Sequence, residues 1–82
     1  KMDKGELAKF TGTYASKDLP LKITVSEKNG ELFAQATGQG AFPLTFKEKT
    51  TFVFAAAGIE MVFGDNSFIL NQGGTKFNFI KE

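Results

Sequence analysis

The side chains that could perform catalysis are few, and they do not form a catalytic pattern. The chain of 82 residues contains no His and no Cys, so it lacks the usual general base and the thiolate nucleophile. Ser16, Ser26 and Ser67 have no imidazole to activate them, and none is followed by Lys at the third position after it. The carboxylates of Glu27 and Glu31 flank a turn, where we expect water to solvate them. These observations argue against an enzyme.

Two glycine-containing segments match only the beginning of a binding motif. Gly38-Gln39-Gly40 starts like a dinucleotide-binding loop, yet Pro43 stands where the third Gly of that motif belongs. Gly64-Asp65-Asn66-Ser67 offers oxygen ligands without the spaced carboxylates and the final Glu of a calcium-binding loop. Cys and His, the usual zinc ligands, are absent. We therefore predict hairpin turns at both segments, no cofactor and no metal.

The charge pattern favours neither nucleic acid nor membrane as a partner. The net charge is +1, and all ten basic residues are Lys, so bidentate capture of phosphate or guanine by Arg cannot occur. Phe77 and Phe79 alternate with polar residues, but they share the parity of the predicted core rather than that of an RNA-stacking face. No segment approaches the roughly 20 consecutive apolar residues of a membrane-spanning helix. No signal peptide is visible after Lys1, which we interpret as the start of a mature or excised product, and the location in the cell stays open.

Turn residues divide the chain at regular intervals into segments of strand length. Asn-Gly and Gly-Gly pairs favour tight hairpins, because both central residues of a type I′ turn need positive φ. Seven turns imply eight short strands, and their even spacing favours an antiparallel meander. Residues 3–9 are the only candidate for a helix, of at most two turns. The turn signals lie at residues 16–18, 28–30, 38–40, 47–50, 57–58, 64–66 and 72–74.

Apolar residues alternate with period two between these turns, so each strand has one buried face. An eight-stranded meander can close into a barrel or split into two packed sheets, and we favour a closed or partly open up-and-down barrel, a single all-β domain over residues 1–82. Side chains as bulky as Phe predict a filled interior with no room for a small apolar ligand. Eight of the ten Phe share the inward parity: Phe42, Phe46, Phe52, Phe54, Phe63, Phe68, Phe77 and Phe79.

A smaller apolar set has the outward parity. Its members are Phe33, Val53, Val62, Ile69 and Ile80. One interpretation is that they are ordinary scattered surface residues, partly covered by the N-terminal segment. The other is a docking surface for a protein partner or a second copy of the chain. Val62 and Ile69 flank one turn and should therefore be neighbours on adjacent strands.

The segment Leu7–Tyr14 resembles a recurring bacterial pattern, Leu-x-x-Tyr/Phe-x-Gly-x-Tyr. It opens small β domains that are appended after serine β-lactamase-like hydrolases and some cell-envelope peptidases. This resemblance implies a non-catalytic, lipocalin-like accessory domain, periplasmic or secreted, that packs against an enzyme domain or another copy of itself. The resemblance continues through Leu21–Val25, Gly30–Leu32, Phe52–Phe54, Ile59–Phe63 and Gly73–Phe77.

Gly12-Thr13-Tyr14 is also similar to the Gly-x-Trp element that opens lipocalins and fatty-acid-binding proteins. In those families an aromatic residue closes one end of the barrel, which implies that role for Tyr14. The chain departs from them in its shorter length, in Tyr for Trp, and in lacking the Arg of a carboxylate-binding triad. The first functional hypothesis is therefore an accessory or interaction domain. The alternatives are a binder of a small apolar ligand, and an inhibitor or regulator of an envelope enzyme.

Overall fold

A computed structural model of the chain describes residues 4–82. The N-terminal helix predicted over residues 3–9 is present within that part as α1, and residue 3 lies outside it. Within residues 4–82, no helix has the length and hydropathy needed to cross a membrane. A short 3₁₀ turn, Ala55–Ala57, precedes β6. The elements are α1 Lys4–Ala8, β1 Gly12–Ala15, β2 Lys22–Lys28, β3 Glu31–Ala36, β4 Phe42–Glu48, β5 Thr51–Phe54, β6 Ile59–Gly64, β7 Ser67–Gln72 and β8 Thr75–Lys81.

The eight strands form a closed antiparallel barrel in which each strand pairs with the next and β1 pairs with β8. This confirms the predicted all-β meander and decides for a barrel over two packed sheets. The predicted turns join consecutive strands. At the β2–β3 turn, Asn29 and Gly30 have φ of 55° and 83°, as a type I′ hairpin requires of both central residues.

The barrel closes over a short seam. β1 and β8 pair only at Tyr14↔Lys81 and Ala15↔Ile80. Side-chain contacts extend the seam, because Lys81 Nζ donates a hydrogen bond to the Lys9 carbonyl at 3.1 Å and lies 5.6 Å from the centre of the Tyr14 ring. Gly12 makes room for that side chain: its φ is 144°, and a Cβ there would lie 3.1 Å from Lys81 Cε.

Aromatic rings fill the half of the barrel nearest α1. Phe10 follows the helix and packs on Phe63 with ring centres 4.8 Å apart. Tyr14 contacts Phe68 at 4.7 Å, and Phe68 stacks on Phe79 at 4.9 Å. The Tyr14 hydroxyl donates a hydrogen bond to the Phe10 carbonyl at 2.8 Å. The buried core comprises Leu7, Phe10, Tyr14, Ile23, Val25, Leu32, Ala34, Leu44, Phe52, Met61, Phe63, Phe68, Leu70 and Phe79.

Phe46 has the inward parity that was predicted, because the register pairs it directly with the buried Phe52. Its side chain is 41% exposed. Phe46 lies near the end of β4, where the pairing with β5 shifts register between Phe46 and Glu48. The exposure of Phe46 therefore reflects its place at the end of the strand, next to this bulge, and not an outward-facing position. The ring keeps an edge-on contact with Phe52 at 5.6 Å and borders a small space of about 190 Å³ beside Leu7.

Candidate ligand-binding site

The turns of an up-and-down meander alternate between the two ends of the barrel, so each end has its own set of turns. We call one end the helix end: Leu7 and Phe10, within and just after α1, lie beside the turns at 29–30, 49–50 and 65–66. The opposite end is formed by segments 16–21, 37–41, 55–58 and 73–74. We call it the open end. No α-helix among residues 4–82 covers it, and the short 3₁₀ turn Ala55–Ala57 forms part of its rim.

A cavity of about 430 Å³ lies at the open end, and we call it the cup. Its volume falls within the range of small-molecule sites, roughly 300–1,000 Å³. All of its lining residues are apolar except Gln39 and Gln72. The lining residues are Leu19, Leu21, Ile23, Ala36, Gln39, Phe42, Phe54, Ala57, Ile59, Met61, Leu70, Gln72 and Phe77.

The predicted filled interior is therefore wrong for half of the barrel. Ile23, Met61 and Leu70 are buried and belong both to the core and to the lining of the cup. Beyond them toward α1, aromatic rings occupy the space. Phe42, Phe54 and Phe77 point inward as predicted, but they are only half-buried and line the cup.

The cup is present because some inward side chains at the open end are too small to fill the barrel there. The inward residues of β3 shrink toward the open end, from Leu32 through Ala34 to Ala36. Phe42 and Phe54 stack face to face, with centres 4.5 Å apart and planes at 15°. Each ring thus covers one face of the other, and the two rings line the cup together.

Hydrogen bonds hold the loops around the mouth of the cup. Thr37 makes two hydrogen bonds with the backbone of Lys22 in β2. Its N–H donates to the Lys22 carbonyl at 3.0 Å, and its hydroxyl accepts from the Lys22 N–H at 3.1 Å. The Gln72 side chain donates from Nε2 to the Ala57 carbonyl at 3.2 Å. The Gln39 carbonyl accepts from Gln35 Nε2 at 2.7 Å. The mouth is therefore preformed, as is usual for small-molecule sites.

The electrostatic character of the cup is neutral. None of the described residues that line it carries a charge. Glu60 and Lys47, on neighbouring outer positions, form an ion pair with Nζ and Oε2 3.1 Å apart. Hydrogen bonds from Lys47 and Asn71 hold the pKa of Glu60 below its ordinary value. Among residues 4–82, no three His, Cys, Asp or Glu side chains cluster in a way that could hold a metal ion.

The predicted outer apolar set divides in two. Val62 and Ile69 are directly paired across β6 and β7, as predicted. The registers place Val53 and Ile80 diagonally beyond them on β5 and β8, so these four residues form a stripe across the outer surface. Ile69 is 40% and Ile80 58% exposed, whereas the two Val are half-buried. Phe33 pairs with Pro43 on the other side of β4 and lies outside this outer stripe.

The two glycine-containing segments and Tyr14, which were also candidates from the sequence, lie in turns and in the core. Residues 38–40 and 64–67 join consecutive strands, in keeping with the predicted turns. Tyr14 is 1% exposed and lies in the aromatic half near Phe10. Burial raises the pKa of its phenol above the ordinary value. Sequence reasoning missed the cup, whose one detectable signal was the small inward pair Ala34 and Ala36.

No protein-family model, curated protein sequence or solved structure matches this chain. The resemblances to appended bacterial β domains and to lipocalins therefore depend on the motifs quoted above. The closed barrel and its cup are the observations from which a function can be inferred.

Proposed function

We propose that this protein is a non-catalytic binding domain that holds a small apolar molecule in the cup. The observation that carries the proposal is the apolar cavity of about 430 Å³ at the open end of a barrel whose other half is filled. Water in a cavity with so few polar partners makes few hydrogen bonds, so an apolar molecule that displaces it gains free energy. The similarity of Gly12-Thr13-Tyr14 to the Gly-x-Trp element of lipocalins and fatty-acid-binding proteins supports the same function.

Filling the cup tests this proposal. Ala36→Phe adds a ring to the β3 wall of the cup, which Phe42 and Phe54 also line, and Ala36→Leu is the milder version. The probe is N-phenyl-1-naphthylamine, an uncharged dye that fluoresces in apolar surroundings. We expect the wild-type protein to bind it, and Ala36→Phe to weaken binding by at least about tenfold, a loss of about 1.4 kcal/mol.

The matched control is Ala8→Phe, the same substitution at an exposed residue of α1 at the helix end. It should leave dye binding unchanged. Circular dichroism and thermal unfolding establish that each variant is folded. If neither Ala36 variant weakens binding while both remain folded, the cup is not the binding site and the proposal fails.

A second candidate function is a protein-interaction domain that uses the outer stripe. The observation that favours it is the direct pair Val62 and Ile69, continued by the exposed Ile80. The resemblance to domains appended to envelope hydrolases supports this function, and with it a location outside the cytoplasm. Single surface apolar residues are common, whereas contiguous ones indicate contact with another protein.

Self-association provides the direct test of the outer stripe. We expect the wild-type protein to dimerise with increasing concentration in analytical ultracentrifugation, and the double variant Val62→Lys, Ile69→Lys to remain monomeric. Thr13→Lys, Thr24→Lys is the matched control, because these two residues are also a direct cross-strand pair with hydroxyls 3.4 Å apart at an exposed position. A wild-type protein that stays monomeric at every concentration contradicts self-association through this surface.

A further inference from the structure

We infer that the ligand of the cup is an uncharged molecule, with an apolar body above Met61 and a hydrogen-bonding end at the side-chain amides of Gln39 and Gln72. This inference rests on the proposed function and specifies its ligand class. It follows from three features: the uncharged lining, the depth of the apolar floor, and the position of the two amides.

The uncharged lining excludes an ionised ligand on energetic grounds. A carboxylate or ammonium moved from water into an apolar site without a partner loses several kcal/mol of solvation. Among the described lining residues no cation is present to compensate a carboxylate and no anion to compensate an amine. Lys22 and Lys47, on strands of the barrel wall, form ion pairs with Glu82 and Glu60 instead.

The floor of the cup is purely apolar. Met61, Ile23 and Leu70 are buried there. No buried side-chain nitrogen or oxygen lacks a hydrogen-bond partner among residues 4–82. A polar group of the ligand placed at the floor would therefore find no side-chain partner, at a cost of about 1–3 kcal/mol. The apolar part of the ligand must lie at this depth.

Among residues 4–82, the only polar side chains that line the cup lie at its mouth. Gln39 lies in the β3–β4 turn and Gln72 at the end of β7, so the two amides belong to separate segments of the rim. Gln72 uses one N–H on Ala57, which leaves its carbonyl oxygen and a second N–H. The backbone of Gln39 is held by bonds with Ala36 and Gln35, while its side-chain amide has no partner among the described residues.

An amide both donates and accepts, so these two groups suit a hydroxyl, a carbonyl or a neutral amine. They cannot neutralise a charge. A ligand with one such group at the end of an apolar body would satisfy the floor and the mouth together. The same ligand in ionised form would leave its charge without a partner at the mouth.

Two dyes that share one ring system test the requirement for neutrality. N-phenyl-1-naphthylamine is uncharged, and 8-anilino-1-naphthalenesulfonate differs from it by an ionised sulfonate. We expect the wild-type protein to bind the uncharged dye at least about tenfold more tightly, because desolvation of the sulfonate costs more than the 1.4 kcal/mol that tenfold represents. Fluorescence titrations at pH 7 measure both affinities in the wild-type protein and in Ala36→Phe.

A second matched pair of compounds tests the polar end. Naphthalene and 1-naphthol differ by one hydroxyl and can be compared by displacement of the bound dye. We expect the double variant Gln39→Met, Gln72→Met to bind 1-naphthol about 3- to 10-fold more weakly than the wild-type protein does, which is the value of one net hydrogen bond. Its affinity for naphthalene should be unchanged. An equal effect on the two compounds would overturn the assignment of the polar end.

The outcomes separate this inference from the proposed function. If the wild-type protein binds neither dye, or if Ala36→Phe weakens neither, the cup itself is not a binding site. If the protein binds both dyes equally well and Ala36→Phe abolishes both, the cup binds ligands but the uncharged-ligand inference is wrong. Preference for the uncharged dye, lost in Ala36→Phe, supports both.

Discussion

Tyr14→Phe removes a single oxygen atom from the aromatic half of the barrel. In the folded protein this hydroxyl donates a hydrogen bond to the Phe10 carbonyl at 2.8 Å, in surroundings where Tyr14 is 1% exposed. The bond joins β1 to the residue that follows α1 and so helps to keep the helix end closed. Because the ring itself stays in place, the variant isolates the contribution of the hydrogen bond.

The expected loss in the free energy of unfolding is about 1–3 kcal/mol, because the Phe10 carbonyl is left buried without its side-chain donor. In a domain of this size each kcal/mol lowers the melting temperature by about 4–8 °C. Urea denaturation followed by circular dichroism at pH 7 measures the difference. Thr13→Val is the control, since it removes an exposed hydrogen bond of 3.4 Å and should change stability by less than about 0.5 kcal/mol.

The same substitution should change the response to alkaline pH. Burial raises the pKa of Tyr14 above the ordinary value of 10.0. The unfolded chain therefore releases the phenol proton at a lower pH than the folded protein does. The resulting contribution to stability is complete below pH 10 and is lost as pH rises through the folded-state pKa. Tyr14→Phe cannot titrate, so its stability should approach that of the wild-type protein as pH rises above 10.

Tyr14 is the only Tyr in a chain without Trp, so the near-ultraviolet absorbance of tyrosinate reports its ionisation alone. Two results would refute this account of the helix end. One is equal stability of Tyr14→Phe and the wild-type protein at pH 7. The other is a tyrosinate titration in the folded protein at the ordinary pKa, which would mean that the ring is not buried as described.

Other substitutions test separate parts of the fold. Phe68→Ala should cost about 3–5 kcal/mol, because the ring is fully buried; Phe46→Ala, at a ring 41% exposed, should cost less than half as much in the same urea denaturation. Gly12→Ala should reduce the free energy of unfolding by about 1–3 kcal/mol and so lower the melting temperature, because φ is 144° there. An unchanged melting temperature would show that alanine at this position is not strained. Glu60, whose pKa is lowered chiefly by a hydrogen bond from Lys47, contributes stability above pH 4.5 that is lost as pH falls through the folded-state pKa. Glu60→Gln should therefore show a shallower loss of stability in acid, and equal slopes would argue against the ion pair.

The strands and their order could be predicted from the sequence because they depend on local chemistry. Asn29-Gly30 requires a tight turn wherever it lies between two alternating segments. Period-two alternation assigns each residue to a face of its strand, and this was correct for Val62 and Ile69, which the register pairs directly. Local signals of this kind, repeated along the chain, lead to an eight-stranded meander without any knowledge of distant contacts.

Only the tertiary structure decided which parts of the interior are filled. Parity shows that Phe42 and Phe68 both point inward, but not that Phe68 lies among other rings while Phe42 stacks on Phe54 at the wall of the cup. Depth in a barrel depends on strand stagger and on closure, and closure here depends on contacts between β1 and β8, at opposite ends of the chain. The cup exists because small inward residues such as Ala36 line the same end of the barrel as the stacked rings of Phe42 and Phe54, and the register of the strands brings them together there.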